Sequence, residues 1–151
     1  EKYFHHLLGQ NFRLTSYQAA LGLSKLRRFA HTSNGLLKLY QQFKGMVEAQ
    51  EFPIQFQKAD LKTTRVPWGL PIVLQDSGVR QRIEREAEIA DIETRPFFKP
   101  FHHMPLYQTH GFSPCPNSQH LSQTGLVLPL HNSLSDEDLD RLVNLMAHAR
   151  A

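Results

Sequence analysis

The segment over residues 95–107 holds the side chains of this sequence that are best suited to bind a ligand. It combines Arg95 with two histidines and four aromatic rings between three prolines. A guanidinium beside aromatic rings can grip an anionic, partly flat ligand such as a nucleotide diphosphate. An ion pair of Arg95 at the end of a strand explains the same residue equally well, so both interpretations stay open at this point.

The histidines near this segment also raise the possibility of a metal site. His102, His103 and His110, together with Cys115, offer the nitrogen and sulfur ligands that zinc prefers. Their spacing matches no established ligand pattern, and adjacent histidines point apart in an extended chain. We therefore expect no metal, and we expect these histidines to be exposed or satisfied within the loop.

A self-contained catalytic group is not indicated by the sequence. Cys115 is the one cysteine, it lies between two prolines, and nothing places a histidine against it. The phosphate-binding glycine loop, HExxH, G-x-S-x-G and paired-cysteine signatures are all missing from the sequence. The residues therefore predict no catalytic side chain within this chain.

Length and composition limit the class of protein. The 151 residues suffice for a single domain with one core, and 40% hydrophobic residues exclude a disordered chain. No apolar run approaches the length of a membrane span, and the first residues lack a signal peptide, so we expect a soluble, cytoplasmic protein. The net charge of +3 (17 − 14) is spread along the chain, and we expect no nucleic-acid partner.

A long N-terminal helix is the first element that must position these side chains. Residues 9–14 predict a loop, and Thr15 with Gln18 has the spacing of a capping box. Beyond this cap, apolar residues recur at three- and four-residue steps, as on one helix face. Asn34 and Gly35 predict a kink or break in that helix. The apolar stripe consists of Ala19, Leu23, Leu26, Ala30, Leu37, Tyr40, Phe43 and Val47.

Short strands and shorter helices fill the rest of the chain. We expect loops and edge strands over 51–71 and a strand over 70–74, whose Pro71 marks an edge position or the beginning of the strand. The next helix is expected to turn Val79, Ile83, Ala87 and Ala90 inward.

The last third of the chain continues this alternation. We expect a strand over 92–95, an irregular ordered loop over 96–107, a helix between Pro116 and Gly125 and a strand over 126–128. The final helix begins at Ser135 and should bury Leu139, Leu142, Val143 and Met146. The pattern predicts an α+β fold: a long N-terminal helix followed by a small antiparallel sheet with helices on one side.

Four stretches of this sequence resemble, in order, the motifs of one enzyme family. Residues 9–23 resemble the G-x-N-[YF]-R-[ML]-x-x-x-Q-A-A-x-G-L signature of the DegT/StrS-type sugar aminotransferases, which are pyridoxal-phosphate enzymes of fold type I. Residues 92–107 resemble the family's I-E-T-R-P segment and its P-x-H-x-x-P-x-Y loop. Residues 125–131 resemble the G-L-x-L-P-x-H strand, and 134–138 the start of the final helix. Within the family, residues 102–105 resemble the perosamine-synthase-like members.

The resemblance implies an activity, a cofactor and partners. The activity is transfer of an amino group, usually from glutamate, to a keto group on a nucleotide-linked sugar, with pyridoxal 5'-phosphate as cofactor and a homodimer formed through the N-terminal motif. Residues 1–47 match the loop and interdomain helix, and 48–151 the small C-terminal α+β domain. The large domain with the Schiff-base lysine is absent from this sequence. We therefore expect a fragment or truncated member that is inactive alone.

Five residues acquire roles from the resemblance. Asn11 matches the asparagine that reaches the cofactor phosphate of the partner subunit, just before a helix N-terminus. Arg13 matches the motif arginine, which pairs at the dimer interface or contacts the substrate. Arg95, Phe98 and His102 match the segment near the sugar-nucleotide end of the site, and we expect them to bind substrate.

Two further expectations accompany this assignment. Asp91 stands where the family commonly has glycine, so the preceding helix must end with a less permissive residue. The first helix should expose an apolar stripe in the isolated chain and favour self-association. A second hypothesis is a non-catalytic binding or interaction module that uses the 95–107 loop for a nucleotide or protein partner.

Overall fold

A computed structural model describes residues 2–58, 62–111, 113 and 115–150, with the backbone alone for 108–110. Within these residues the chain forms five α-helices and four β-strands. The helices are α1 (Ser16–Arg27), α2 (Phe29–Ala49), α3 (Ser77–Ile89), α4 (Pro116–Thr124) and α5 (Asp136–Met146). The strands are β1 (Gln55–Phe56), β2 (Leu70–Val73), β3 (Arg95–Pro96) and β4 (Gly125–Leu128).

The four strands form one antiparallel sheet in the order β1-β2-β4-β3. Side chains on a strand alternate between the two faces of the sheet, so residues paired across strands share a face. Leu70 lies opposite Leu128, and Pro71 lies opposite Val127 on the other face. The predicted α+β fold with a small antiparallel sheet is confirmed.

One face of the sheet carries the hydrophobic core. Leu70, Ile72, Leu126 and Leu128 on this face are buried in the same cluster as side chains from α2, α3 and α5. Full burial of each such side chain contributes roughly 1.5–3 kcal/mol relative to exposure. The helices therefore hold the sheet from one side, and the face that carries Val127 is left for other contacts. No helix in the described part of the chain is long and apolar enough to cross a bilayer.

Strand β2 occupies a central position, so the edge interpretation of Pro71 is wrong. The alternative, that the proline marks the beginning of the strand, is confirmed, because Pro71 is the second residue of β2. The neighbouring strand β1 pairs only with Ile72 and Val73. Pro71 therefore lies where β2 has a partner on one side, and its missing N–H does not interrupt the pairing with β1.

The long N-terminal helix is interrupted six residues earlier than expected. The break falls at Arg28, between α1 and α2, and nothing in the sequence around Arg28 predicts it. Asn34 and Gly35 lie inside the continuous α2, so the expected break there is wrong. A distant residue contacts the helix at this point: Asn132 packs onto Gly35, where a Cβ would collide with it, and donates from Nδ2 to the Thr32 carbonyl at 3.2 Å.

The apolar stripe of these two helices is buried only from Tyr40 onward. Tyr40, Phe43 and Val47 of α2 are buried in the core, as predicted. Every residue of α1 is exposed, including Leu23 and Leu26 of the predicted stripe. The expected exposure of apolar surface from the first helix is therefore confirmed.

Helix α3 ends in a left-handed turn at Asp91, after which the chain leads to β3. Val79, Ile83 and Ala87 are buried as expected, but Ala90 is exposed because it caps the helix instead of continuing its inner face. Asp91 has φ +54°, and the Ile92 N–H donates to the Ala87 carbonyl at 2.8 Å. This is the Schellman pattern, in which glycine is the usual left-handed residue.

The segments after Asp91 differ in part from their predictions. The strand expected over 92–95 is confirmed only at its last residue, since β3 is Arg95–Pro96. The loop over 96–107 is not wholly irregular, because short 3₁₀ helices cover Phe101–His103 and Pro105–His110. The helix that Pro116 opens and Gly125 ends, the strand over 126–128 and the helix begun by Ser135 are all confirmed.

Candidate functional site

Arg95 begins β3 and lies opposite Val127 of β4, on the face of the sheet away from the helices. Its side chain is half-exposed and pairs with Glu93, with 3.2 Å between Nη2 and Oε1. A hydrogen bond with the Tyr3 side chain, followed by the charge of Glu93, raises the pKa of Arg95 above its ordinary value. The ion-pair interpretation of Arg95 is therefore confirmed, while a permanently charged guanidinium remains accessible from solvent.

Tyr3 joins two of the residues that were expected to bind substrate. Besides its hydrogen bond with Arg95, its ring meets the ring of Phe98 at 4.6 Å between centroids, edge to face. The residues on either side follow the same path, since Lys2 Nζ donates to the Thr94 carbonyl at 3.1 Å and the His5 N–H to Met104 Sδ at 3.4 Å. The N-terminal segment thus lies along residues 94–104.

His102 lies in the 3₁₀ helix that follows this cluster. It is half-buried, and its ring meets that of His103 at 4.4 Å, edge to face. Phe101 in the same helix meets Tyr107 at 5.3 Å between ring centroids. The structure therefore brings Arg95 and Phe98 together around Tyr3 and places His102 in the next turn of the chain.

Asn11 and Arg13 form a local turn immediately before α1. The Arg13 N–H donates to Asn11 Oδ1 at 2.9 Å, and Arg13 has the left-handed φ of +58°. Both residues are exposed, and the predicted capping box of Thr15 and Gln18 follows them. The described contacts of Asn11 and Arg13 are with each other and not with the Tyr3 cluster.

The described residues hold no group of three or more side chains placed to bind a metal. The side chain of His110, one of the residues weighed for zinc, lies outside the described part of the chain. Cys115 is exposed and donates from Sγ to the Ser113 carbonyl at 3.4 Å. Its position is that of the residue preceding α4, so it serves as a helix boundary here.

A cleft of about 240 Å³ opens at the end of the sheet where β2 and β3 begin and β4 ends. Trp68, Glu93, Arg95 and His131 contribute to its walls, with Val127 on the adjacent strand. The Trp68 residue is 61% exposed. Gly69 allows the chain to pass close to β4, because a Cβ there would collide with the Val127 side chain.

Sequence reasoning missed three residues around Arg95: Tyr3, Trp68 and His131. The signals for two of them were present, because Trp68 is the one tryptophan of the chain and His131 is the last residue of the G-L-x-L-P-x-H stretch. Their relation to Arg95 was not readable, since it depends on strands that are distant in sequence. No comparable signal marked Tyr3, which lies 92 positions from Arg95.

Comparison with known proteins decides the family. The model of the DegT/DnrJ/EryC1/StrS aminotransferase family matches residues 1–147. The chain belongs to this family. Curated relatives include the GDP-perosamine synthases of Vibrio cholerae, 29% identical over 150 residues, and of Escherichia coli O157:H7, 27% identical over 138 residues. These matches cover 95% and 91% of this chain and 40% and 37% of the relatives.

Solved aminotransferases share the fold. Helicobacter pylori PseC, involved in pseudoaminic acid biosynthesis, has a TM-score of 0.78 at 19% identity, covering 95% of this chain and 40% of that one. The PLP form of the putative sugar aminotransferase Spr1654 from Streptococcus pneumoniae has a TM-score of 0.79 at 20% identity, covering 91% and 36%. The chain thus spans about two fifths of the length of its relatives.

Pyridoxal phosphate is the cofactor that this family membership indicates, and the residues present fit one part of it. Asn11 presents an exposed amide whose oxygen is already engaged by the Arg13 N–H, which leaves its N–H₂ group to donate outward. An amide donor and an arginine before a helix N-terminus suit a phosphate group. Among the described residues, Asn11 is therefore one that could hold the cofactor phosphate.

Proposed function

We propose that this chain is the C-terminal part of an aminotransferase that moves an amino group from glutamate to the keto group of a nucleotide-linked sugar. The observation that carries this proposal is the family match over residues 1–147, together with relatives named as GDP-perosamine synthases. In this proposal residues 1–47 are the loop and interdomain helix, and residues 48–151 are the small domain. The large domain that carries the Schiff-base lysine lies outside this sequence.

The exposed N-terminal region supports a further part of the proposal, a homodimer. Large apolar side chains of residues 7–29 are 48–86% exposed, which is unusual for so short a stretch of a soluble monomer. The set comprises Leu7, Leu8, Phe12, Leu14, Tyr17, Leu21, Leu23, Leu26 and Phe29. We assign this surface to the large domain and the partner subunit, in an enzyme of the cytoplasm.

Each site residue has a binding role in this proposal. Asn11 holds the cofactor phosphate of the partner subunit, and pyridoxal phosphate supplies the electron sink when bound. Arg13 pairs at the dimer interface or contacts the substrate. Arg95 holds an anionic group of the sugar nucleotide, because its guanidinium is planar, charged and accessible. Phe98 and His102 contact the sugar end. In this proposal the lysine that forms the Schiff base with the cofactor belongs to the large domain, and we expect the chain alone not to catalyse.

A chimeric enzyme tests the proposed function. Residues 1–151 would replace the matching C-terminal part of the Vibrio cholerae synthase, and amino-sugar formation would be followed by mass spectrometry with the proposed substrates, a nucleotide-linked keto-sugar and glutamate. Bound cofactor, measured by its visible absorbance, and oligomeric state would establish that the chimera folds. We expect a cofactor-loaded dimer that forms the amino sugar, and no product from the 151-residue chain alone.

Matched variants of that chimera distinguish residues that bind the substrate from residues that do not. Arg95→Ala should raise KM for the sugar nucleotide about tenfold or more, the loss of one charge-assisted hydrogen bond. Arg85→Ala, which removes an exposed arginine of α3, is the control and should leave KM unchanged. A dimer that binds the cofactor but forms no amino sugar contradicts the proposal and favours the binding-module hypothesis.

A further inference from the structure

We propose that the cleft at the end of the sheet binds the nucleoside diphosphate part of the substrate, with Trp68 stacking on the base and Arg95 and His131 holding the phosphates. The proposal rests on the proposed function, since it states which part of the sugar nucleotide each wall of the cleft receives. It adds two substrate-binding residues, Trp68 and His131, to the set that the sequence indicated.

The aromatic wall of the cleft is an indole that the protein itself does not use for its core. Trp68 is 61% exposed, whereas Tyr40 and Phe43 of α2 are buried. It is held directly before β2, because Gly69 lets the backbone pass over Val127. An exposed indole offers a nucleobase a stacking surface, and such stacking tolerates any base.

The polar wall combines two donors with one carboxylate. Arg95 is positioned by the pairing of β3 with β4 and by Tyr3, and His131 follows β4 in the same cleft. Glu93 also lines the cleft and would oppose an anion there. Its pair with Arg95 is exposed, with side-chain exposures of 66% and 50%, and exposed pairs are weak. A diphosphate with more charge and a matching bidentate geometry can therefore replace the carboxylate.

The size of the cleft decides how much of the ligand it holds. Its volume of about 240 Å³ is below the roughly 300–1,000 Å³ of pockets that enclose whole small ligands. The sugar must then lie outside it. Arg95 borders the cleft and also contacts the Tyr3 and Phe98 cluster, so the sugar end falls on the side where Phe98 and His102 lie. Arg95 thus links the two halves of the substrate.

The single tryptophan makes the test direct, because Trp68 is the one indole whose fluorescence the 151-residue chain can report. The chain would be titrated with GDP, UDP, guanosine and inorganic pyrophosphate, with free N-acetyltryptophanamide correcting for absorption and collisional quenching. We expect a saturable fluorescence change with both nucleoside diphosphates. Guanosine and pyrophosphate, each lacking one half of the contacts, should bind about tenfold or more weakly.

Variants identify the residues responsible. Arg95→Ala and His131→Ala should each weaken GDP binding about tenfold, the change that one charge-assisted hydrogen bond produces. The matched controls Arg85→Ala and His31→Ala remove exposed side chains of the same types from α3 and α2 and should leave Kd unchanged. Circular dichroism of each variant establishes that the fold is retained.

Three outcomes would overturn the inference. The first is a GDP titration without saturation, and the second is a Kd that Arg95→Ala and His131→Ala leave unchanged. The third is pyrophosphate binding as tightly as GDP, which would make the cleft a simple anion site without a base-stacking role.

The chimera keeps this inference distinguishable from the proposed function. There, Trp68→Ala should raise KM for the sugar nucleotide about tenfold at constant kcat, and Trp68→Phe should restore most of the loss because a ring remains to stack. A chimera that aminates its substrate while Trp68→Ala leaves KM unchanged contradicts the cleft assignment and leaves the function standing. Saturable GDP binding by the chain, together with a chimera that binds cofactor but is inactive, supports the cleft assignment and contradicts the proposed function.

Discussion

Helices α1 and α5 both begin with a capping box, but α1 is exposed to solvent and α5 is packed in the core. Thr15 with Gln18 starts α1, and Ser135 with Asp138 starts α5, each as a complete capping box. Five side chains of α5 are buried against the sheet and its helices, whereas every residue of α1 is exposed. A capping box therefore fixes where a helix begins, but only a packing partner decides whether the helix contributes to the core.

The two regions should consequently differ in stability. A 12-residue helix such as α1, without buried contacts, is marginal by itself in water. Helix α5 shares the core cluster with β2, β4 and α3, so it unfolds with the whole of that body. Changes in residues 9–27 should therefore alter local helicity, while the same changes in the core region should alter the global free energy of unfolding.

The largest difference is expected from leucine truncation. Leu139→Ala in α5 removes a fully buried side chain and should lower the free energy of unfolding by about 2–5 kcal/mol. Leu23→Ala in α1 removes a half-exposed side chain and should change it by no more than about 0.5 kcal/mol. Urea unfolding followed by Trp68 fluorescence measures both. Equal losses would show that α1 belongs to the cooperative core after all.

The caps should separate the regions next. Ser135→Ala removes the hydroxyl that accepts from the Asp138 N–H and should cost about 1 kcal/mol of global stability. Thr15→Ala removes the equivalent bond from Gln18 and should reduce helical circular dichroism without moving the urea midpoint. Hydrogen exchange of the α1 amides provides the control, because it should accelerate only in Thr15→Ala. A shifted urea midpoint in Thr15→Ala would show that α1 contributes to global stability and would contradict the difference between the two regions.

Glycine substitutions at two residues with positive φ test whether the core region and the region of α1 differ in their effect on global stability. Asp91→Gly relieves a φ of +54° at the end of α3 and should stabilise the protein by about 1 kcal/mol. Arg13→Gly relieves a φ of +58° in the exposed loop before α1 and should leave the urea midpoint unchanged. Thermal unfolding of the two variants and the parent compares them. A destabilised Asp91→Gly would mean that the carboxylate itself supports the turn.

Two glycines of α2 differ in the space available for a Cβ, which is open at Gly45 and occupied by Asn132 at Gly35. Gly45 has open space where a Cβ would lie, so Gly45→Ala should stabilise by about 1 kcal/mol through helix propensity. Gly35→Ala gains the same propensity but displaces Asn132, with loss of its bond to Thr32, and should be near neutral. The difference of about 1 kcal/mol between the two variants is the measured quantity. Asn132→Ala should make the glycine substitutions equivalent.

The smallest effect concerns pH. Hydrogen bonds from the Ser135 backbone N–H and then from its hydroxyl lower the pKa of Asp138 below its ordinary value. A lowered folded-state pKa gives stability that is present above the unfolded value of about 3.9 and is lost as pH falls through the folded pKa. Asp138→Asn should therefore remove part of the stability difference between pH 6 and pH 3. An unchanged difference would assign the acid sensitivity to other carboxylates.

The site was predictable only in part. Arg95, Phe98 and His102 were identified by resemblance to a motif, and the structure brings the first two together through Tyr3. Tyr3 and Trp68 escaped notice because their relation to Arg95 depends on chain crossings that no local pattern encodes. The pairing of Arg95 with Glu93, two residues away, was by contrast a local feature that the sequence could indicate.

What the sequence by itself determined is local. The cap at Thr15, the start of the final helix at Ser135 and the buried face of α5 followed from side chain to backbone hydrogen bonds and from the spacing of apolar residues. What only the tertiary structure decided rests on residues far apart in the chain. Asn132 packs onto Gly35 of α2 and binds the Thr32 carbonyl, 100 positions away in the chain. The start of β2 meets the end of β4 to form the cleft. Such contacts depend on the whole fold, because the energy of each is gained only once the sheet and helices are already in place.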